Sequence, residues 1–233
     1  MRAAVSIVIP TLQAGESLPA CLAALMEGLE AGVIRELVLS DGGSTDATLA
    51  IAEEVGARIV TGPASRGGQM RRGADASQGA WLMFLHADTV LAPGWSDAVP
   101  GHIAAEPGRA GWFHLAFDAP GLAPRIVAGW ANWRARAFGL PFGDQGLLIS
   151  RELYQATGGF PDIPLMEDVA FARALGRGRL AALPAIARTS ARRYAREGWF
   201  RRGARNLALQ LRFLAGGDPE QLAQRYRRSA RRS

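Results

Sequence analysis

Four short segments of the chain combine residue types that can do chemistry, and each follows an apolar run in the sequence. They are Pro10-Thr11, Asp41 to Asp46, Ser65 to Gly68, and His86 to Asp88. Carboxylates bind hard metal cations or take up protons, and arginine binds phosphate oxygens through paired hydrogen bonds. Glycine lets a ligand approach the backbone closely. Such chemistry requires a fold that places the four segments side by side.

The apolar runs before these segments predict strands that are covered on both faces. The runs are Val5–Ile9, Leu37–Leu39, Arg58–Val60 and Trp81–Leu85. Between them, helices are predicted to begin at the capping residues Ser17 and Ser44, and a third is predicted from about Gln69 to Ser77. Repeated βα units imply a parallel sheet with right-handed crossovers. Because ligands bind beyond the carboxyl ends of such strands, we expect all four segments at one rim.

After residue 110 the strands and helices no longer alternate regularly. Trp112–Phe117 is typical of a strand in an antiparallel or mixed part of the sheet, and Leu147–Ile149 predicts another strand. Helices are expected at Ile126–Phe138 and from Glu167-Asp168 to about Leu175. The fold class that follows is a three-layer α/β/α sandwich around a mostly parallel sheet.

The composition is that of a folded domain. The chain has 233 residues, of which 48% are apolar and 21% charged, and this excludes a disordered, collagenous or disulfide-rich protein. The single cysteine, Cys21, cannot form an internal disulfide. No apolar run reaches the length of about 18 residues that predicts a membrane span. We therefore expect a cytoplasmic protein.

Positive charge is concentrated at the C-terminus, where residues 188–233 contain 13 Arg and three acids. We therefore predict a main domain at residues 1–193 and an Arg-rich helical tail at residues 194–233. Within the tail, apolar residues recur with helical spacing at Phe200, Ala204, Leu207, Leu211 and Leu214. This pattern predicts a basic amphipathic helix that packs on the main domain, contacts an anionic membrane peripherally, or does both. No nucleic-acid module is recognisable, so specific nucleic-acid binding is not expected.

The motifs, in this order, resemble those of family-2 glycosyltransferases of the GT-A fold. The family's first strand ends in Pro-Thr, like Pro10-Thr11, and its second ends in Asp-Asp-Gly-Ser-x-Asp, which Asp41 to Asp46 resembles. Its Asp-x-Asp motif is matched in part by His86 to Asp88. Its Gly-Gly-Phe turn and catalytic Glu-Asp pair are similar to Gly158 to Phe160 and to Glu167-Asp168. The resemblance covers most of the chain and is closest to short bacterial members without transmembrane helices.

The resemblance implies an inverting glycosyltransferase that moves a sugar from a nucleoside diphosphate to an acceptor hydroxyl, with help from Mn²⁺ or Mg²⁺. A UDP-sugar donor is favoured over GDP- and dTDP-sugars, and the acceptor is unknown. Two alternatives remain open. A nucleotidyltransferase of related fold would release pyrophosphate, and a noncatalytic protein would bind a nucleotide sugar or a membrane without turnover.

For such a donor, Asp41 can accept a hydrogen bond from the base, and Gly42 and Gly43 allow the backbone to come close. The alternative is a plain βα turn capped by Ser44. The family's second aspartate is replaced here by Gly42, and its glutamate near the base is missing, so Glu16 is expected to take over that contact. Further donor contacts are expected from Pro10, Thr11, His86 and Ala87.

Asp88 is the expected metal ligand, because a divalent cation stabilises the charge that develops on a leaving diphosphate. One carboxylate, the phosphates and waters suffice to hold Mn²⁺ or Mg²⁺. Alternatively, Asp88 caps a turn before Pro93. His86 replaces the family's first aspartate and is expected to contact the ribose, to ligate the metal or simply to end the strand.

Asp168 is the expected catalytic base, since an acceptor hydroxyl must lose a proton and a carboxylate at a helix start stays ionised. The alternative is a carboxylate at a helix start without a partner. Glu167 is expected to bind the acceptor or an arginine. Asp144 and Gln145 are expected to bind acceptor hydroxyls, unless they only form a turn.

Four arginines are candidates for holding the diphosphate, because a guanidinium donates two parallel hydrogen bonds to phosphate. Arg66 and Arg71 surround a pair of glycines after the third strand, and Arg192 and Arg193 end the main domain. For Arg66 and Arg71 the alternative is a solvated helix face.

Overall fold

Eight β-strands form one mixed sheet in the computed structural model, which describes residues 4–230 and side chains as far as residue 226. The strands are β1 (Val5–Thr11), β2 (Ile34–Asp41), β3 (Arg58–Thr61), β4 (Trp81–Phe84), β5 (Thr89–Leu91), β6 (Ala110–Phe117), β7 (Leu147–Ser150) and β8 (Leu180–Thr189). Their order across the sheet is β3-β2-β1-β4-β7-β6-β8-β5. Neighbours from β3 to β4 are parallel, as are β6 and β8, whereas β7 is antiparallel to β4 and β6, and β5 is antiparallel to β8.

Ten α-helices accompany the sheet within the described residues. They are α1 (Leu18–Glu30), α2 (Thr48–Glu54), α3 (Arg66–Ala76), α4 (Trp95–Ala105), α5 (Leu122–Phe138), α6 (Arg151–Ala156), α7 (Glu167–Leu175), α8 (Arg192–Glu197), α9 (Trp199–Leu214) and α10 (Pro219–Ala230). Single 3₁₀ turns lie at Gly143–Gln145 and Arg177–Arg179. None of the helices in residues 4–230 is both long and apolar enough to span a bilayer.

Alternate side chains of β1 enter two separate cores, one on each face of the sheet. On one face, Ile7 and Ile9 pack in a cluster with Trp95 of α4. On the other face, Val8 packs in a cluster with Met70 of α3. Helices therefore cover both faces, and the predicted three-layer α/β/α architecture is confirmed.

Two predicted helix starts are wrong. Helix α2 begins at Thr48, because the hydroxyl of Ser44 donates instead to Asp41 at 2.6 Å. Helix α3 begins three residues earlier than predicted and is capped by Ser65, whose Oγ accepts from the helix backbone. The glycines that obscured this start are required by packing, since a Cβ on Gly67 would lie 1.8 Å from the carbonyl oxygen of Pro161.

The sequence pattern did not indicate β8, although this strand pairs with both β6 and β5. Its sequence contains Pro184 and four alanines, which have low strand propensity. The pairing with β6 shifts register between Trp112 and His114, opposite the segment that contains the proline. A bulge of this kind accommodates a residue that cannot donate to the ladder.

The tail helix α9 contains the whole predicted apolar stripe, but it packs through a different face. The exposed fractions of Phe200 and Leu211, both in the predicted stripe, are 65% and 57%. Leu209 and Gln210 are buried instead, and Leu209 joins a cluster with Val169 of α7. The predicted packing of the stripe on the main domain is therefore wrong. Residues 231–233 of the predicted tail lie outside the described residues.

Candidate active site

A cleft of about 550 Å³ opens where β1 and β4 end. Eight predicted site residues line it: Pro10, Thr11, Arg66, His86, Ala87, Asp88, Asp144 and Arg193. The cleft is also lined by Gln69, which the sequence interpretation missed. Its amide donates to the carbonyls of Thr11 at 2.7 Å and Ser40 at 2.9 Å, and thereby joins the ends of β1 and β2. Three of the four predicted segments therefore contribute to this cleft, whereas no residue from Asp41 to Asp46 lines it.

A second opening of about 500 Å³ adjoins the cleft, and both are lined by Asp88 and Arg193. Glu16 and Arg192 lie in this second opening and form an ion pair with each other. Both side chains are highly exposed, so their pairing contributes little energy. The expected contacts of Glu16 with the base and Arg192 with phosphate would require this weak pair to open.

Asp41 is fully buried, and hydrogen bonds occupy both of its carboxylate oxygens. Oδ1 accepts from the hydroxyls of Thr11 and Ser44, and Oδ2 accepts from the backbone N–H groups of Gly43 and Ser44. Burial raises the pKa of Asp41, but the hydrogen bonds from Ser44, Gly43 and Thr11 outweigh it and leave the pKa below its usual value. Asp41, Gly42 and Gly43 do not line the cleft. Here Asp41 organises the loop, and its contact with a base stays a prediction.

His86 and Asp144 form a half-buried pair on the wall of the cleft, with His86 Nδ1 3.2 Å from Asp144 Oδ1. Burial lowers the pKa of His86, but Asp144 outweighs burial and the net pKa is raised. Burial raises the pKa of Asp144, and His86, Arg66 and Arg193 turn the net shift downward. A Cβ on Gly143 would lie 2.3 Å from His86 Nε2, so only glycine fits beside this ring.

Asp168 lies at the start of α7, as predicted, and two backbone groups hold its carboxylate. The N–H of Gly143 donates to Oδ2 at 2.9 Å, and the N–H of Val169 donates to Oδ1 at 2.7 Å. Asp168 lines a side pocket of about 110 Å³. The pocket shares Arg66 and Asp144 with the main cleft. The carboxylate therefore lies beside the cleft in a fixed orientation.

Glu167 is buried next to Asp168, and its Oε2 has no hydrogen-bond partner among the described residues. Burial and the Asp168 carboxylate raise the pKa of Glu167 to about 7, although Arg66 and His86 act in the opposite direction. The side chain lines the same side pocket as Asp168. The position of Glu167 is compatible with the predicted role in acceptor binding, which stays a prediction.

We predict that Glu167→Gln raises the melting temperature at pH 8 and changes it little at pH 5. The folded protein holds the Glu167 proton up to about pH 7, whereas the ordinary value is 4.5, so wild-type stability falls as the pH rises through this window. Melting curves from pH 4 to pH 9 test this, with Glu152→Gln, an exposed first-turn glutamate of α6, as control. An equal change at both pH values would contradict the prediction.

The arginines predicted to bind phosphate separate into two groups. Arg66 lies in the cleft, where burial lowers its pKa but the carboxylates of Glu167 and Asp168 are among the groups that raise it overall. Arg193 lines the cleft and both adjoining cavities. Arg71 does not reach the cleft, since its guanidinium donates to the carbonyls of Phe160 and Gly158. Its assignment to phosphate binding is therefore not supported by the geometry.

Gln145 is fully buried, and its amide is used within the protein rather than offered to an acceptor. Its Oε1 accepts from the N–H of Phe142 at 3.2 Å, and its Nε2 donates to Asn132 at 3.2 Å. Arg134, which the sequence interpretation missed, stacks on the Phe142 ring and donates to the carbonyl of Leu140. The predicted acceptor contact of Gln145 is wrong in this structure, because Gln145 positions the turn that carries Asp144.

A divalent cation in the cleft would be held by one protein carboxylate together with oxygen atoms of a bound molecule. The described residues contain no cluster of three or more His, Cys, Asp or Glu side chains arranged around a metal site. Asp88 offers a hard carboxylate on the cleft wall, and no hydrogen bond or ion pair from another side chain in residues 4–226 engages it. His86 is poorly placed as a ligand, because Nδ1 pairs with Asp144 and Nε2 faces Gly143.

An open α/β sheet with a polar cleft beyond its strand ends defines a class of ligand-binding α/β proteins. Within that class, residues 6–112 match the family Glycosyl transferase family 2. A PGL/p-HBAD biosynthesis glycosyltransferase of Mycobacterium bovis (strain BCG / Pasteur 1173P2) is 43% identical over 93 residues, which are 37% of this chain and 36% of the relative. Over residues 6–112, the match agrees with the resemblance to family-2 glycosyltransferases that the motifs indicated. The family match includes Asp41 and Asp88 but ends before Asp168.

Solved structures share the GT-A fold. TarS 1-349 of S. aureus in complex with UDP has a TM-score of 0.62 and 17% identity, over 82% of this chain and 61% of that chain. Glucosyl-3-phosphoglycerate synthase of Mycobacterium tuberculosis, in complex with Mn²⁺, UDP and glucosyl-3-phosphoglycerate, has a TM-score of 0.56 and 20% identity, over 80% of this chain and 70% of that chain. At this identity the likeness establishes the fold.

Proposed function

We propose that the protein is an inverting glycosyltransferase that transfers a sugar from a UDP-sugar to an acceptor hydroxyl. The observation that carries this proposal is the position of Asp168. Its carboxylate lines a side pocket, and Arg66, His86 and Asp144 belong to the lining of both this pocket and the main cleft. A base in a pocket that shares a wall with the cleft is suited to joining a donor in the cleft to an acceptor in the pocket.

The main cleft is proposed to hold the donor. Thr11 and Gln69 are buried residues of its lining. Arg66 and Arg193 also line the cleft and can donate hydrogen bonds to the diphosphate. The complexes of TarS and glucosyl-3-phosphoglycerate synthase with UDP support a uridine nucleotide. Asp88 would hold the divalent cation, which supplies electrostatic stabilisation of the leaving diphosphate when bound. The Mn²⁺ in the synthase complex supports the use of a divalent cation.

The side pocket is proposed to hold the acceptor, between the main domain and the tail. Its inner wall contains Glu167 and Asp168, and its outer wall contains Arg202, Asn206 and Gln210 of α9. Oε2 of Glu167 is available to accept a hydrogen bond from an acceptor hydroxyl, since no protein donor among the described residues engages it. The tail would then complete the acceptor site.

In the proposed reaction, the acceptor oxygen forms a bond to the anomeric carbon while the bond from that carbon to the β-phosphate oxygen breaks. Asp168 takes the proton of the acceptor hydroxyl. The hydrogen bonds from Gly143 and Val169 hold its carboxylate in position. Attack of the acceptor oxygen from the face opposite the leaving diphosphate inverts the anomeric configuration.

The donor assignment is tested by melting curves with UDP-, GDP- and dTDP-sugars, each with Mn²⁺ and with EDTA. A ligand at 100 times its Kd stabilises by about 2.7 kcal/mol, which is roughly 5–10 °C for a domain of this size. We expect a metal-dependent shift with the UDP-sugars. A shift confined to GDP- or dTDP-sugars would contradict the uridine assignment, and no shift with any nucleotide sugar would contradict the donor site. Pyrophosphate release would instead indicate a nucleotidyltransferase.

A further inference from the structure

Helices α5 and α9 both expose large apolar side chains to solvent. The exposed fraction is 73% for Leu122 of α5 and 65% for Phe200 of α9. Others are Ile126, Trp130 and Trp133 on α5, and Leu211 and Leu214 on α9. Single exposed apolar residues need no explanation, but aligned rows on two helices, with two tryptophans among them, indicate an interaction surface.

The two rows border the same groove and therefore form one surface. The groove between the helices has a volume of about 70 Å³, and it is lined by Val127 and Trp130 of α5 and by Gly203 and Leu207 of α9. Trp130 thus belongs to both the groove and the exposed row of α5, and Leu207 continues the apolar row of α9 along the helix. We call these exposed apolar faces the α5–α9 surface. Its groove is also lined by Asp144, which borders the candidate active site.

Arginines lie along both outer edges of the α5–α9 surface. Arg125 and Arg136 on α5 are eleven positions apart, as are Arg201 and Arg212 on α9, so each pair lies on one side of its helix. All four are exposed. Neither helix contains an acidic residue. The surface is therefore an apolar strip with a positively charged margin on each side.

We propose that the α5–α9 surface docks on an anionic lipid bilayer. Tryptophans favour the boundary between the acyl chains and the headgroups, and arginines at the margins would meet anionic headgroups. A second copy of the chain is a poorer occupant. A symmetric contact would place one basic surface against its own copy without acids on either helix to compensate. The proposal does not depend on the reaction proposed above.

Flotation of the full chain with vesicles tests the proposal. One set contains phosphatidylcholine alone, and the other has a third of it replaced by phosphatidylglycerol. We expect binding to the anionic vesicles that weakens with salt. Trp130→Ser combined with Trp133→Ser, which keeps every arginine, should reduce the partition coefficient at least about tenfold. Arg125→Gln and Arg212→Gln should each reduce it about fivefold, and only on anionic vesicles.

Matched controls lie on α1 and β2. Leu29→Ser removes an apolar residue with an exposed fraction of 54%, and Arg35→Gln removes an exposed arginine, so neither should change vesicle binding. The proposal would be overturned if the control variants lost as much vesicle binding as the variants on the α5–α9 surface. Undiminished binding of the double tryptophan variant would also overturn it. Sedimentation velocity without lipid provides a separate check. A dimer that the tryptophan substitutions dissociate would identify a second copy as the occupant and would also overturn it.

Discussion

Asp168→Asn is expected to slow sugar transfer by about 10²- to 10⁴-fold while donor binding stays near the wild-type level. Asparagine has the same shape and keeps an oxygen that can accept the hydrogen bond that Gly143 donates to Asp168. It cannot take up the proton of an acceptor hydroxyl. The main cleft is lined by other residues, so the substitution leaves the donor contacts in place.

The measurement is release of the nucleoside diphosphate and formation of the glycoside, alongside donor binding by calorimetry. Asp97→Asn is the matched control, because Asp97 is an exposed acid in the first turn of α4. It should behave as wild type. Unimpaired transfer by Asp168→Asn would remove Asp168 as the base. A wild-type protein that binds the donor but turns over no acceptor tested, not even water, would favour the noncatalytic alternative.

Residues at strand ends and helix starts could be located from the sequence, because the backbone alone determines where they lie. His86 and Asp88 follow β4, and Thr11 ends β1, so the parallel sheet brings them to one cleft. Asp168 was placed at the start of a helix by the apolar pattern that follows it, and α7 begins at Glu167. In each case a local pattern and one topological rule sufficed.

Side-chain orientation could not be predicted, because it depends on partners distant in the sequence. Asp41 has the expected position at the end of β2, but Thr11 and Ser44 occupy its oxygens. Arg71 lies on the expected helix, yet it binds carbonyls of a loop 87 and 89 residues away. Gln145 is in the expected turn, but it is buried, and its amide donates to Asn132 of α5. Only the tertiary structure decides whether such polar groups are free to bind a ligand.

Asp88→Asn is expected to remove the metal-dependent part of donor binding and to lower kcat/KM by at least about 10²-fold. The amide keeps the size of the side chain but loses the negative charge that a divalent cation requires. Within the described residues no cluster of three acidic, histidine or cysteine side chains offers a replacement site. EDTA should therefore cause a similar loss in the wild type and almost no further loss in the variant, because two changes that remove the same interaction are not additive.

The substitution and the EDTA treatment together answer two separate questions: whether donor binding requires a divalent cation, and whether Asp88 holds it. Asp75→Asn, which alters an exposed acid on α3, is the matched control and should keep the full response to EDTA. If EDTA weakens the donor binding of Asp88→Asn as much as that of the wild type, the cation is held elsewhere. If EDTA has no effect on either protein, the diphosphate must be stabilised without a cation. Arg66 and Arg193, whose guanidinium groups lie on the cleft wall, would then stabilise the diphosphate. In that case Arg66→Gln would cause a larger loss of transfer than Asp88→Asn.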